Sequence, residues 1–309
     1  MIYTVTLNPA IDYVVRLDAP LAPGTLQRTA AEDYQYGGKG INVSTVLARL
    51  GVPTTALCFV AGPTGAWLRQ GVNGQGIHTD FITLPQGMTR INVKVKAADG
   101  AVVQETEING RGPQITEEAL ARLEAKLSAL TAQDLLILAG SLPSGLPEDT
   151  YRRLMAPLAA RGVRVVVDAG GEALRRVLPH RPFLVKPNHH ELGELFGCAI
   201  SPTDLDMVAE CARALQQQGA RNVLVSMGGA GAVLVDEQHR QHRLAAPQGR
   251  VVNTVGAGDS MVAGFLAGWL DSGDYGQALR LGTACGSATA FTLGLAEKAD
   301  AEALLEQMQ

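Results

Sequence analysis

Four short apolar runs constrain the fold of this chain most. "DLLILAG" (134–140), "GVRVVVDAG" (162–170), "FLVKPN" (183–188) and "NVLVSMGG" (222–229) are β-branched, continuous, and end in turn residues. A run that is apolar at every position suits a strand covered on both faces, as in a parallel sheet. Helical patterns lie around them: "ITEEALARLEAKLSAL" (115–130), opening at Thr116, and "DLDMVAECARALQQQG" (204–219). Strand alternating with helix predicts an α/β fold built on a doubly wound, mostly parallel sheet. After residue 256 the strands stop, and small residues in "SMVAGFLAGWL" and "YGQALRLGTACGSATAF" suit closely packed helices.

The first hundred residues break this rhythm twice. Strand-like alternation appears at 4–7, "IDYVVRLD" (11–18) and "TLQRTAAEDY" (25–34). It returns in "TRINVKVKAADGAVVQETEI" (89–108), which reads as a hairpin turning at Asp99-Gly100. We therefore expect one α/β domain over 1–309, with segments of about 11–36 and 88–108 folding together as a small β-sheet lid over the strand ends.

With 26 Lys and Arg against 30 Asp and Glu, and no run of like charge, nucleic acid and membrane surfaces are not expected partners. The four cysteines are scattered, no secretion signal precedes the first strand, and no apolar run nears the ~18 residues of a membrane span. A cytoplasmic protein with reduced thiols is the expectation.

Several glycine-rich stretches are near misses. "YGGKGIN" (36–42) lacks the earlier glycine and the hydroxyl of a P-loop. "GGKGINV", "GAGDSM" and "GAGAVL" place Val43, Met261 and Leu234 where a dinucleotide fingerprint needs a small residue. The pairs His189-His190 and His239/His242 lack a third metal ligand and read as solvent-facing.

"NTVGAGDS" (253–260) is different. If Val251 and Val252 end a strand and a helix begins near Met261, the N–H groups around Gly256, Ala257 and Gly258 form an anion-binding nest. Asp259 has the wrong sign for holding phosphate. It has the right one for taking a proton from a hydroxyl that attacks a phosphoryl group. The reading is a phosphotransferase with an alcohol acceptor; the alternative is an acid that merely favours a helix start.

Together "GGKGINVSTVLARLG" (37–51), "GSLPSGLP" (140–147), "KPNHHE" (186–191) and "NTVGAGDSMVAGFLAG" (253–268) resemble the ribokinase-like, or PfkB, carbohydrate kinase family. The resemblance runs from "TLNPAID" (6–12) almost to the C-terminus. "TLNPAID", "GGKGIN" and "TRINVK" are most similar to its phosphosugar branch, the kinases of fructose 1-phosphate first and those of tagatose 6-phosphate next.

The resemblance implies roles residue by residue. Asp259 is the catalytic base, with Gly256, Ala257 and Gly258 as the anion hole. Asn188 and Glu191 match an N-x-x-E motif that helps to place Mg²⁺ and the phosphates, Glu191 being the metal ligand. Lys186, Ser226, Gly228 and Gly231 surround ATP. Asp12 bonds sugar hydroxyls, with Gly38 and Asn42 at the same pocket. Arg28, Lys39 and Arg90 supply charge for a substrate phosphate. In a strand, Arg90, Asn92 and Lys94 share one face toward that sugar, while Val93 and Val95 point the other way. Asn253 departs from the Asp or Ser usual in the family.

The implied reaction is Mg²⁺- and ATP-dependent phosphorylation of a ketohexose monophosphate, fructose 1-phosphate to fructose 1,6-bisphosphate. Tagatose 6-phosphate or fructose 6-phosphate are the alternative acceptors, and a homodimer through the lid is implied. A non-catalytic sugar-phosphate-binding regulator would be expected to lack the base or the anion hole, and both are present.

Overall fold

In the computed structural model, which describes residues 1–99 and 102–308, the apolar runs become neighbouring strands. In chain order the strands are β1 (Ile2–Thr6), β2 (Ala10–Leu17), β3 (Ala31–Gly37), β4 (Thr54–Val60), β5 (His78–Thr79), β6 (Ile82–Thr83), β7 (Arg90–Asp99), β8 (Val102–Asn109), β9 (Leu135–Ala139), β10 (Arg164–Asp168), β11 (Leu184–Val185), β12 (Asn222–Ser226), β13 (Ala232–Val235) and β14 (Gln241–Leu244). The helices are α1 (Lys39–Arg49), α2 (Gly62–Gly74), α3 (Glu117–Leu127), α4 (Thr150–Ala159), α5 (Gly171–Val177), α6 (His189–Phe196), α7 (Leu205–Gln217), α8 (Ala257–Ser272), α9 (Tyr275–Phe291) and α10 (Lys298–Gln307).

The large sheet runs β14-β13-β12-β11-β10-β9-β1-β4-β5, with β6 also on β4. It is parallel from β12 to β5; β13 and β14 join antiparallel. Its central strands are buried on both faces, as their composition requires. Leu136, Leu138, Val165 and Val167 pack with α3 to α7, while Leu135, Ile137, Val166 and Leu184 pack with α1, α8 and α9. The period of two thus assigns alternate residues of one strand to opposite cores.

Helix starts follow local chemistry. Thr116 accepts from the Ala119 N–H at 3.2 Å to open α3, and Asp204 does the same for Met207 at α7. Helices α8 and α9 lie close because small residues face each other: a Cβ on Gly264 would come within 2.6 Å of the Leu281 carbonyl oxygen.

A second sheet of order β3-β2-β7-β8 forms the lid. β2 and β7 pair in parallel, whereas β2–β3 and β7–β8 are antiparallel. The turn expected at Asp99-Gly100 falls, at Gly100, outside the described residues. The strand expected over 25–34 begins only at Ala31. Ahead of it Gln27 folds the chain on itself, its Oε1 accepting from Ala22 N at 2.8 Å and its Nε2 donating to the Pro20 carbonyl at 2.9 Å, which makes a turn. Val251 and Val252 do not end a strand either. They are exposed, and the Val252 and Asn253 N–H groups both donate to the Ala290 carbonyl, a helix end rather than a strand.

The four cysteines are free thiols. Among the described residues no helix is long and apolar enough to cross a membrane.

Candidate active site

The parallel strands end on one side of the large sheet, and a cleft of about 410 Å³ opens there beneath the lid. Ligands of open α/β sheets bind at this carboxyl edge. Ala139 and Asp168 reach the cleft from the ends of β9 and β10, Lys186 follows β11, and Ser226 ends β12.

Asp259 stands in the first turn of α8 and is buried. The turn into that helix depends on Gly256, whose φ of 81° lies in the left-handed region and whose Cβ would collide with Leu295. As first-turn residues, Ala257, Gly258 and Asp259 carry N–H groups that precede any acceptor of their own helix. Asn42 of α1 donates from Nδ2 to Asp259 Oδ2 at 2.8 Å. Burial, then the neighbouring Asp168 carboxylate, push the Asp259 carboxyl up to about 7 against the pull of Lys39, Asn42 and Lys186. A carboxyl with that value is balanced between holding and accepting a proton near neutrality.

Asp168 is the partner that sequence reading missed. It is buried between Lys39 Nζ and Lys186 Nζ, each 3.4 Å from one of its oxygens. Burial alone would raise its pKa, but Lys186 and then Lys39 outweigh it and hold the carboxyl below its ordinary value. A cue was present, since an acid closing the buried "VVVD" strand has no apolar reason to be there. Asn8 and Ser141, also in the cleft wall, were likewise not singled out.

The same wall contains Asp12, Gly38, Lys39, Asn42, Arg90 and Asn92 from the expected sugar set. Asn92 Nδ2 donates to Asp12 Oδ1 at 2.7 Å, and Arg90 Nε donates to the Asn8 carbonyl at 3.2 Å. Arg28 is not with them. It is exposed in the loop before β3 and does not line the cleft. Lys186, expected around ATP, lines this cleft beside Asp168 and Gly258.

A second cleft of about 800 Å³ adjoins the first and shares Asn188, Ser226 and Gly258 with it. Gly228, Gly231, Ala257 and Phe291 also line it. Gly231 serves the fold as well, since its φ of 99° and missing Cβ let the Leu244 carbonyl of β14 approach. Asn188 and Glu191 form a reciprocal cap on α6. Asn188 Oδ1 accepts from the Glu191 N–H, and Glu191 Oε2 from the Asn188 N–H, both at 2.8 Å. Glu191 also borders the first cleft.

His190 and His239 are exposed, as expected, whereas His189 and His242 are half-buried. His189 and His190 line the second cleft with ring centroids 3.9 Å apart, and His242 Nε2 lies 2.8 Å from the fully buried Asp236. Among the described residues no three His, Cys, Asp or Glu side chains surround a common metal position.

A buried carboxyl at a helix start, where two clefts meet, is an arrangement that phosphoryl transfer can use. Comparison with known proteins agrees. The chain is 43% identical over 309 residues to 1-phosphofructokinase of Bacillus subtilis, covering 100% of this chain and 99% of that one. It is 36% identical over 309 residues to D-tagatose-1-phosphate kinase of Bacillus licheniformis, covering 100% and 99%. That tagatose relative is named for the 1-phosphate, which corrects the 6-phosphate kinase expected as near neighbour. Phosphofructokinase-2 from Escherichia coli, solved in complex with fructose-6-phosphate, superposes with a TM-score of 0.90 at 29% identity, covering 99% of this chain and 98% of that one. The profile described as pfkB family carbohydrate kinase matches residues 4–302, and the chain belongs to that family of ATP-using sugar kinases.

Proposed function

We propose that this protein transfers the γ-phosphoryl group of ATP to the free primary hydroxyl of fructose 1-phosphate, giving fructose 1,6-bisphosphate. The observation that carries this reading is the position of Asp259, buried where the two clefts share a wall at Gly258. ATP in the larger cleft would direct its terminal phosphate to the start of α8, and the sugar in the smaller one would offer its hydroxyl to Asp259. The carboxylate takes that hydroxyl's proton as the oxygen attacks. N–H groups of Gly256, Ala257 and Gly258, with Lys186, hold the charge spread over the transferring group. Arg90 and Lys39 supply cations for the phosphate already on the sugar. Arg28 is left out of this set because of its place outside the cleft.

Mg²⁺ fits the oxygens available. It binds through one or two carboxylates plus phosphates and water rather than in an all-protein cage. Glu191 offers one oxygen beyond the one spent on capping, and buried Asp168 Oδ2, which faces only the Lys39 ammonium at 3.4 Å, offers another. When bound, the ion would neutralise charge on the ATP phosphates.

A homodimer through the lid, acting in the cytoplasm, completes the reading. Tyr34, Ile91 and Ile108 are exposed on one face of the lid sheet, where a second copy would cover them. Light scattering at micromolar concentrations should give twice the chain mass, and a monomer mass would remove the dimer from the reading.

The deciding experiment measures ADP release with Mg-ATP and, in separate reactions, fructose 1-phosphate, tagatose 1-phosphate, fructose 6-phosphate and fructose. The highest kcat/KM is expected with fructose 1-phosphate. A preference for fructose 6-phosphate or unphosphorylated fructose would overturn the substrate assigned here.

A further inference from the structure

Lys94 is a cation with no part in the reaction just described. It lies in β7 with its side chain only 10% exposed, an unfavourable place for an ammonium group unless it is paired. Its Nζ is 3.4 Å from Asp12 Oδ2 and 3.5 Å from Glu107 Oε1. The cleft wall includes Asp12, Arg90 and Asn92 but not Lys94.

Strand register explains the arrangement. Asp12 of β2 lies directly across from Asn92 of β7, and Lys94, two residues farther along, projects from the same face. The Asp12 carboxylate is therefore held at both oxygens. Asn92 Nδ2 donates to Oδ1 at 2.7 Å, and Lys94 Nζ approaches Oδ2. Behind it Gly37 leaves room that a Cβ would take, since that atom would stand 2.9 Å from Oδ2. A carboxylate has about two acceptor directions per oxygen. With one on each already engaged, one on each remains, a pattern suited to two neighbouring hydroxyl donors on a sugar ring.

We propose that Lys94 is a positioning residue for sugar recognition, which reaches the substrate only through Asp12 by fixing that carboxylate to accept a vicinal pair of hydroxyls on the ketohexose phosphate. This rests on the reading of Asp12 as the hydroxyl acceptor. Lys94 is not a phosphate-binding cation: its ammonium is spent on two carboxylates and its side chain lies outside the cleft wall. It governs KM for the sugar phosphate and leaves ATP binding alone.

A double-variant comparison tests this, with Lys94→Met, Asp12→Asn, their combination, and Lys94→Arg. For each protein kcat, both KM values and the thermal midpoint are measured with fructose 1-phosphate and Mg-ATP. Asp12→Asn and Lys94→Met should each raise KM for fructose 1-phosphate by roughly tenfold or more, the scale of a charge-assisted hydrogen bond, with KM for ATP unchanged. The combined variant should be no worse than Asp12→Asn alone, and Lys94→Arg should recover most of the loss. If Lys94→Met fails to fold, Lys94→Gln, which keeps the stem and a polar end, takes its place. Losses that multiply in the combined variant would overturn the inference, because Lys94 would then touch the substrate independently of Asp12. So would a raised KM in Asp12→Asn with none in Lys94→Met. An unchanged KM in Asp12→Asn would instead remove Asp12 from the sugar site, and this inference with it.

Discussion

Asp259 can take a proton only while it is ionised, and burial beside Asp168 holds its carboxyl at about 7. In a pH series spanning neutrality, kcat should fall by about tenfold per unit below that value and level off above it. A profile flat through pH 6 would mean that another group carries the proton. Stability should respond in the opposite sense. A carboxyl whose folded pKa is raised binds its proton more tightly in the folded chain, so its contribution is complete below its unfolded value near ~4 and is lost as pH rises through about 7. Asp259→Asn, which cannot ionise, should therefore lower kcat by roughly a hundred- to ten-thousand-fold while its thermal midpoint at alkaline pH is no lower than that of the parent. Calorimetry and steady-state rates on one preparation would check both halves.

At the scale of elements, the start of α8 is only as well placed as the packing behind it. Gly264 meets the Leu281 carbonyl so closely that Gly264→Ala should cost about 1–3 kcal/mol by overpacking. The strain should reach the first turn of α8, lowering kcat as well as the thermal midpoint. An unchanged midpoint would show that α8 and α9 can part without loss. On the other side, Asn188→Ala removes one half of the α6 cap and should cost about 0.5–2 kcal/mol, measured by urea unfolding. These elements differ in how readable they were. The runs at 134–140, 162–170 and 222–229 were legible because burial on both faces leaves little but apolar side chains. The span 25–34 was not, since its end is decided by the hydrogen bonds of Gln27 rather than by periodicity. Val251 and Val252 looked like a strand end, but the Val252 N–H donates to the Ala290 carbonyl at the end of α9. The glycine turn before Asp259 could be read because its chemistry is local. Asp168 offered only the cue of an acid closing a buried strand, because Lys39 and Lys186, which give it its setting, reach it from two separate segments.

For the molecule as a whole, the two clefts have Asn188, Ser226 and Gly258 in common. Phosphoryl transfer across so short a wall needs water kept out, and a sheet lying over the smaller cleft can do that. The lid has a further consequence, in the order of folding. Its central pair, β2 and β7, joins stretches some 80 positions apart, as between Asp12 and Asn92. Each of these strands follows shortly after a strand of the large sheet, β1 in one case and β6 in the other, and both β1 and β6 pair with β4. The loop closure that β2 and β7 require is thus met only once β1, β4 and β6 have assembled. The lid should form last and open first. Amide hydrogen exchange in β2 and β7 should outpace that in β1, β9 and β10, so the sheet lying over the smaller cleft should also be the part that unfolds without the rest.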